Sequence, residues 1–322
     1  RLILWFVIVS LVPLVIMTAL TYDQRLRSVR TEAFNKLEAI RTLKQAQIEQ
    51  WLDHGVGHLA YLCSLAEKSG ISRIIDGPSG RAEDRAIFSA IQNELDGYAG
   101  SMEDILEITI SDLNGNVLIS TRQESPGKNL SSEKYFQSAL VNDDTYISGV
   151  IKDPDGIPSI ILAKHLLSPE TRDFRRTRIG VMTLSLSLHN SLFIGLVNRT
   201  GLGNTGEAYL VGNNGMAISS LLWRDNASMN LVIDSPAAMR GAKGETGTMK
   251  DLDYRGEEVL AAYTFIPGPR WGLVIKQDLI EVYTPIYSML HIMLIIFSFS
   301  VSGACALAII ISRTISRPIM AV

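Results

Sequence analysis

The stretch YRGEEVLAAYTFIPGPRWGLVIKQ, residues 254–277, contains two apolar runs on either side of the turn sequence Pro267-Gly268-Pro269. The runs cover residues 259–265 and 271–277 and include Val, Ile, Tyr, Phe and Trp, which favour strands. Proline and glycine between two such runs mark a turn. We therefore expect two strands here, at the end of the water-soluble part of the chain.

The same order of strand, turn and strand occurs earlier in the chain. Residues 112–116 contain Asn114-Gly115, which supplies the positive φ of a tight hairpin, and the sequence Gly-Asn-Asn-Gly at residues 212–215 repeats this signal. Strands are predicted at residues 105–110, 117–120, 146–151, 159–166, 179–186, 208–211 and 216–220. Helices are predicted at residues 23–67, 82–95, 131–141 and 188–196, with Ser131 or Ser132 as N-cap of the third and Glu133 in its first turn.

Two apolar segments lie outside this region. Residues 2–22 and residues 287–311 carry no formal charge, and about 20 apolar residues suffice to cross a bilayer as a helix. Tyr287 precedes the core of the second segment and Arg313 and Arg317 follow it, an order typical of a span whose carboxyl end is cytoplasmic. A cleaved signal peptide is the alternative for the first segment, but its apolar run is longer than a signal peptide requires. We expect two membrane spans with both chain ends inside.

The composition limits the function of the segment between the spans. The chain of 322 residues has 30 Lys and Arg against 33 Asp and Glu, a net charge of -3 that disfavours nucleic-acid binding. Its mean hydropathy of +0.17 reflects the two apolar segments. Cys63 is the single cysteine between the spans, so no disulfide can form within that segment.

Three pieces of the sequence resemble one family in their order along the chain: residues 131–150, residues 203–215 and residues 254–277. They resemble the double Cache sensors of bacterial transmembrane receptors, which carry two PAS-like modules on a long stalk helix. The last residues, SRTISRPIMAV, resemble the start of a HAMP linker, with its proline at Pro318. The resemblance implies an α+β fold, a long stalk helix plus two antiparallel-sheet modules flanked by two transmembrane helices.

The resemblance also implies a division of the chain into six segments. These are a first transmembrane helix (1–22), a stalk helix with a helical lead-in (23–103), a membrane-distal Cache module (104–187), a membrane-proximal Cache module (188–281), a second transmembrane helix (282–312) and the start of a HAMP linker (313–322).

In double Cache sensors the ligand pocket usually lies in the membrane-distal module, between its sheet and the helix over it. Amino-acid-binding members hold the ligand carboxylate with an arginine two residues before an aromatic pair. If Tyr135 and Phe136 are that pair, Glu133 stands where the arginine would be, while Asp153 matches an aspartate that binds the ammonium group. The candidate ligand-binding residues are Glu107, Glu133, Tyr135, Phe136, Tyr146 and Asp153.

Acidic residues without the matching arginine favour a cationic, neutral or amine-bearing ligand, or one stacked on the aromatic rings. Three of the candidates also have a simpler interpretation. Glu133 could be an ordinary acidic residue that complements the helix dipole, and Tyr135 or Phe136 could be a core residue.

Other motifs have weaker functional interpretations. Residues 201–206, GLGNTG, match a dinucleotide-binding pattern, but a strand follows them where that pattern needs a helix, so we expect a turn. His54 and His58 are four residues apart on a predicted helix without an evident third metal ligand, and Gly55 and Gly57 beside them predict a weakened or bent helix. We expect no catalytic residues, no metal and no cofactor in this chain.

Together with the two apolar segments, the resemblance implies the input half of a receptor in the bacterial inner membrane, with its sensor in the periplasm or outside the cell. A small-molecule ligand would act on a homodimer and signal through the second span and HAMP to a histidine kinase. A chemoreceptor or a diguanylate cyclase is the alternative output. The alternative class is a membrane-anchored binding protein without enzymatic output.

Overall fold

The computed structural model describes residues 2–75, 81–169, 176–189, 192, 195–196 and 198–311. Its helices are α1 (Leu2–Lys68), α2 (Ile71–Ile75), α3 (Ala82–Gly100), α4 (Lys134–Val141), α5 (Pro236–Ala242) and α6 (Leu279–Ile311). Its strands are β1 (Ile105–Asp112), β2 (Val117–Ser120), β3 (Tyr146–Ile147), β4 (Ile151–Lys152), β5 (Pro158–Leu167), β6 (Arg178–Ser187), β7 (Glu207–Val211), β8 (Gly247–Leu252), β9 (Glu258–Ile266) and β10 (Trp271–Asp278).

Helix α1 is the long element against which both sheets pack. Its buried side chains, among them Leu37, Leu59 and Leu62, belong to one core cluster with residues of both sheets. Helix α1 continues through Gly55 and Gly57, so the weakened or bent stretch predicted there does not interrupt it. A Cβ on Gly55 would lie 2.7 Å from Leu186 Cδ1, so this glycine instead allows α1 to approach the first sheet closely.

The first sheet has the strand order β2-β1-β6-β5-β3, with β4 also pairing with β5. The pairings are antiparallel. One face is aliphatic and packs toward α1, with Ile108, Leu162 and Leu184 fully buried. Successive strand residues alternate between the two faces, so the residues between these side chains lie on the opposite face, where α4 packs on β5 and β6.

The second sheet has the order β7-β10-β9-β8, again antiparallel. Leu210, Leu273 and Ile275 pack into the core around α1. The opposite face, with Tyr209 and Val274, packs on α5 in a second cluster. The chain passes from Asp278 at the end of β10 into α6 at Leu279 without an intervening residue.

Several predicted elements need correction. Helix α4 begins at Lys134, and Glu133 is its N-cap without a side-chain cap bond. Ser131 does not cap α4, because its backbone N–H and hydroxyl are both bonded to Asn129 Oδ1. The strand predicted at 216–220 is replaced by isolated bridges, and α5 and β8 were not predicted.

Within the described part of the chain, one helical segment, Leu279–Leu307, is long and apolar enough to cross a membrane. The apolar residues 2–22 form the first part of α1, which continues without a break to Lys68. The HAMP-like residues 313–322 and part of the helix predicted at 188–196 lie outside the described residues.

Candidate ligand-binding site

A row of polar side chains crosses the face of the first sheet that is opposite α1. The register pairs Ser120 with Thr109, Thr109 with Thr183, Thr183 with Ala163 and Ala163 with Tyr146. Directly paired residues of antiparallel strands carry their side chains on the same face. Thr109 and Thr183 are buried, and their hydroxyl oxygens lie 2.6 Å apart in a hydrogen bond. A polar row is costly to bury without hydrogen-bond partners, and here Thr109 and Thr183 bond to each other while Ser120 bonds to Glu107.

Helix α4 covers part of this face. Its Phe136 and Ala139 are buried in a small cluster with Ala163 and Val181 of the sheet. The Nδ1 atom of His165 lies 3.1 Å from the carbonyl oxygen of Asn142, at the carboxyl end of α4. These contacts fix the helix over one half of the polar face and leave its amino end beside the other half.

A charged cluster occupies that other half. Arg122 donates from Nη2 to Asp153 Oδ2 at 3.0 Å and to Asp155 Oδ2 at 3.1 Å, and its Nε lies 4.0 Å from Glu107 Oε2. Glu107 also accepts a hydrogen bond from Ser120 Oγ at 2.7 Å. Three carboxylates therefore surround one guanidinium group, and the cluster keeps an excess of negative charge.

Arg122 was missed by the sequence analysis. It follows the β1–β2 hairpin and meets Asp153, 31 residues away in sequence, only through the fold of the sheet. Burial alone would lower the pKa of Arg122, but the hydrogen bond that Arg122 donates to Asp153 and the charges of Glu107, Asp155 and Asp153 raise it instead. Its side chain is 18% exposed, so Arg122 is a fixed positive charge at the edge of the site.

The six predicted residues have different surroundings. Glu107 and Asp153 meet through Arg122, and Asp153 Oδ1 also accepts from the backbone N–H groups of Asp155 and Ile157 in the following turn. Phe136 is 2% exposed and lies in the core beneath α4, so its ring is not free to stack on a ligand. Glu133 is exposed.

Tyr135 and Tyr146 are half-buried and complete the surroundings of the polar face. Burial, with smaller contributions from the charges of Glu133 and Glu107, raises the pKa of Tyr135 to about 12. Its phenol therefore stays protonated near neutral pH and can donate a hydrogen bond. Glu107, Tyr135, Tyr146 and the polar row offer anionic, hydroxyl and aromatic contacts, which suit an ammonium group.

The GLGNTG sequence forms a second structured element, at the start of α6. Glu281, in the first turn of α6, accepts hydrogen bonds from the backbone N–H groups of Asn204 and Thr205, each at 2.8 Å. The hydroxyl of Thr205 also bonds to Glu281, and it accepts from the N–H of Asp278 at 3.1 Å. The predicted turn is confirmed, and its backbone amides bind a carboxylate of the chain itself.

The two stalk histidines do not assemble a metal site. His54 is exposed, and His58 Nδ1 lies 2.5 Å from the hydroxyl oxygen of Tyr98. The described residues contain no group of three or more His, Cys, Asp or Glu side chains that could hold a metal ion.

Comparison with known families and structures identifies what the chain is similar to. A family model described as Cache domain (dCache_1) matches residues 19–286. A search of the curated proteins finds no match to this chain.

Among solved structures, the ligand-binding domain of the Campylobacter jejuni chemoreceptor Tlp3 in complex with 4-methylisoleucine is similar, with a TM-score of 0.58 and 16% identity over 81% of this chain and 96% of that chain. The ligand-binding domain of the Pseudomonas aeruginosa PAO1 amino acid chemoreceptor PctB in complex with L-Arg has a TM-score of 0.56 and 15% identity, covering 79% of this chain and 98% of that chain. The Pseudomonas fluorescens chemoreceptor CtaA domain in complex with L-serine has a TM-score of 0.54 and 15% identity, covering 77% of this chain and 98% of that chain. At these identities the likeness concerns the fold.

Proposed function

The chain belongs to the Cache-domain family, and from that premise we propose that it is the extracytoplasmic input half of a transmembrane receptor that binds an amine-bearing metabolite. The observation that carries the proposal is the cluster of Glu107, Asp153 and Asp155 around the single Arg122 beside a buried polar row. A ligand with an ammonium group would balance the excess negative charge of this cluster.

Of the two part-buried carboxylates, Glu107 is more available to such a ligand than Asp153. Its closest approach to Arg122 is 4.0 Å, whereas Asp153 is bonded to Arg122 at 3.0 Å and to two backbone N–H groups of its turn. The ring of Tyr146 lies on the same face and can contact a cation. The solved relatives named above were crystallised with amino acids or an amino-acid analogue, ligands that also carry an ammonium group.

We expect the Glu107→Gln variant to bind the amine ligand about tenfold or more weakly, because the charge-assisted hydrogen bond to the ammonium is lost. The measurement is calorimetry on the whole chain in lipid nanodiscs, with a panel of amines, amino acids and simple carboxylates. Glu124→Gln is the matched control, since Glu124 is exposed in the same part of the chain, two residues after Arg122. Binding of carboxylates alone, with affinities that Glu107→Gln leaves unchanged, would refute the ligand assignment.

The proposal extends to the membrane and to the output. Residues 2–22 and α6 are proposed as two spans of the inner membrane, with the first sheet in the membrane-distal module (104–187), the second in the membrane-proximal module (188–281) and α1 as the stalk of a homodimer. Because β10 leads directly into α6 and Glu281 ties α6 to residues 204–205, a movement of the second sheet would be transmitted to the span. A ligand that prefers one of two receptor states by a factor of ten biases their equilibrium by about 1.4 kcal/mol.

For the output we propose a HAMP linker followed by a histidine kinase. The reading frame beyond Val322 is expected to encode a HAMP repeat, a helix with the phospho-accepting histidine and an ATP-binding domain. Sequencing that frame tests this directly. A long heptad coiled coil in its place would make the protein a chemoreceptor, and a cyclase domain would make it a diguanylate cyclase, because the fold itself does not determine the output.

A further inference from the structure

A cleft of about 680 Å³ lies between the two sheets; it shares Tyr146 with the polar face but contains none of the residues of the charged cluster. One wall comes from the first sheet and α4, including Lys134, Tyr146 and Ile147, and the other comes from residues 212–218 and 268–271 around the second sheet. The two walls approach closely, since a Cβ on Gly268 would lie 3.1 Å from Ile147 Cδ1. The volume falls in the range of small-molecule pockets, about 300–1,000 Å³.

The cleft combines apolar side chains with the polar residues Thr145, Asn213 and Asn214 and with two exposed cations. Ile218 and Trp271 are 2% and 1% exposed, and they line the cleft together with Met216 and Met229. The lining contains the cations Lys134 and Arg270 and no carboxylate side chain. Among the described residues, neither cation forms an ion pair with an acidic side chain. Two uncompensated positive charges over an apolar surface suit an anion with an apolar body.

The backbone at Arg270 supports a functional role for its side chain. Arg270 has φ 61°, a left-handed conformation that is uncommon for residues other than glycine, asparagine and aspartate. Met229, which also lines the cleft, has φ 58°. A turn after Pro267-Gly268-Pro269 would accept Gly or Asn at position 270 with less strain, so the arginine is present at a cost to the backbone. Strain of this kind is often retained where the side chain has a task.

We propose that this inter-sheet cleft binds a small organic carboxylate with an apolar body, whose carboxylate contacts Lys134 and Arg270. This second site does not depend on the amine ligand proposed above. Because each sheet contributes one wall, an occupant holds the two sheets in one relative placement. Binding in the cleft would therefore modulate how a ligand-induced movement of the first sheet is transmitted to the second sheet.

The test uses phenylacetate as probe and phenylacetamide as its neutral isostere, measured by calorimetry on the whole chain in lipid nanodiscs. Phenylacetate is expected to bind saturably, and the amide about tenfold or more weakly, because the charge-assisted hydrogen bonds are lost. Arg270→Asn should weaken phenylacetate binding by a similar factor while keeping a residue that tolerates positive φ. Lys134→Gln, on the opposite wall, should act in the same direction.

Control variants distinguish phenylacetate binding in the cleft from general effects of charge and from binding at the amine site. Arg224→Gln removes an exposed arginine outside the cleft and should leave phenylacetate binding unchanged. Glu107→Gln should also leave it unchanged, and Arg270→Asn, on the wall away from the first sheet, should keep amine binding at the charged cluster. The proposal is overturned if phenylacetate does not bind saturably, if it binds no better than the amide, or if Arg270→Asn and Lys134→Gln both bind it as the wild type does.

Discussion

Replacing Gly203 with alanine is expected to destabilise the protein by about 2–4 kcal/mol and to release α6 from the turn that holds it. Gly203 has φ +72°, and a Cβ built there would lie 2.4 Å from Glu281 Oε1 and 2.8 Å from Gln277 Nε2. The added methyl group therefore meets both backbone strain and the carboxylate that residues 204 and 205 bind. Denaturant unfolding of the whole chain measures the change.

Gly256→Ala is the matched control for this prediction. Gly256 has φ +82° beside the same sheet, but no heavy atom lies within 4 Å of a Cβ built there. Its substitution carries the backbone cost alone, about 1 kcal/mol. Equal destabilisation by the two alanines would show that the contact of Gly203 with Glu281 contributes nothing, and the proposed connection between the second sheet and α6 would lose its support.

Lys276→Met is expected to destabilise the protein by about 3–5 kcal/mol, because it leaves buried carboxylates without their counter-charge. The Lys276 side chain is 0% exposed, and its Nζ lies 2.5 Å from Asp253 Oδ2 and 3.4 Å from Glu207 Oε2. Burial alone would raise the pKa of Asp253, but Lys276 and Arg255 outweigh it and hold that pKa below its usual value. Asp253 is therefore ionised in the folded state and depends on these cations.

The stability that Asp253 contributes should fall at acidic pH. Its folded-state pKa lies below the ordinary 3.8, so its contribution is present above that value and is lost as the pH falls through the folded-state pKa. Unfolding free energies of wild type and Lys276→Met at neutral pH test the substitution. Lys250→Met is the control, because Lys250 pairs with Glu258 at 2.6 Å while 45% exposed, and such pairs contribute about 0–1 kcal/mol. A loss at Lys276 no larger than at Lys250 would contradict a buried ionic cluster.

The sequence predicted those elements whose signals are local. Asn114-Gly115 marks the β1–β2 turn, where Gly115 has φ +85°, and the apolar runs around Pro267-Gly268-Pro269 become β9 and β10. Strand β8 (GTMKDL) was missed because it is an edge strand with a mixed polar sequence and no apolar alternation. The segment 216–220 has a strand-like sequence, but its bridges go to Val211 on one side and to Val232 on the other, so no continuous ladder forms.

The candidate site was only partly predictable, because some of its contacts join residues that are distant in sequence. The sequence placed Glu107, Tyr135 and Asp153 among the candidates, and the structure brings Glu107 and Asp153 together through Arg122. No local pattern identifies Arg122 as their partner, because the contact depends on the register between strands. The burial of Phe136 likewise follows from how α4 lies on β5 and β6. Because the sequence did not identify Arg122, it predicted a more acidic site. In the structure the net charge of the cluster is still negative, but Arg122 reduces its magnitude.

The most direct test of the central claim is amide hydrogen exchange of the whole chain in nanodiscs, with and without a saturating amine ligand from the calorimetric panel. We expect protection centred on β1, the start of α4 and the turn at residues 153–157, which surround Glu107 and Tyr135. We also expect a smaller change at residues 203–206, whose backbone holds Glu281 of α6. Protection confined to the inter-sheet cleft, or absent from β1 and α4, would contradict a ligand site on the polar face of the first sheet.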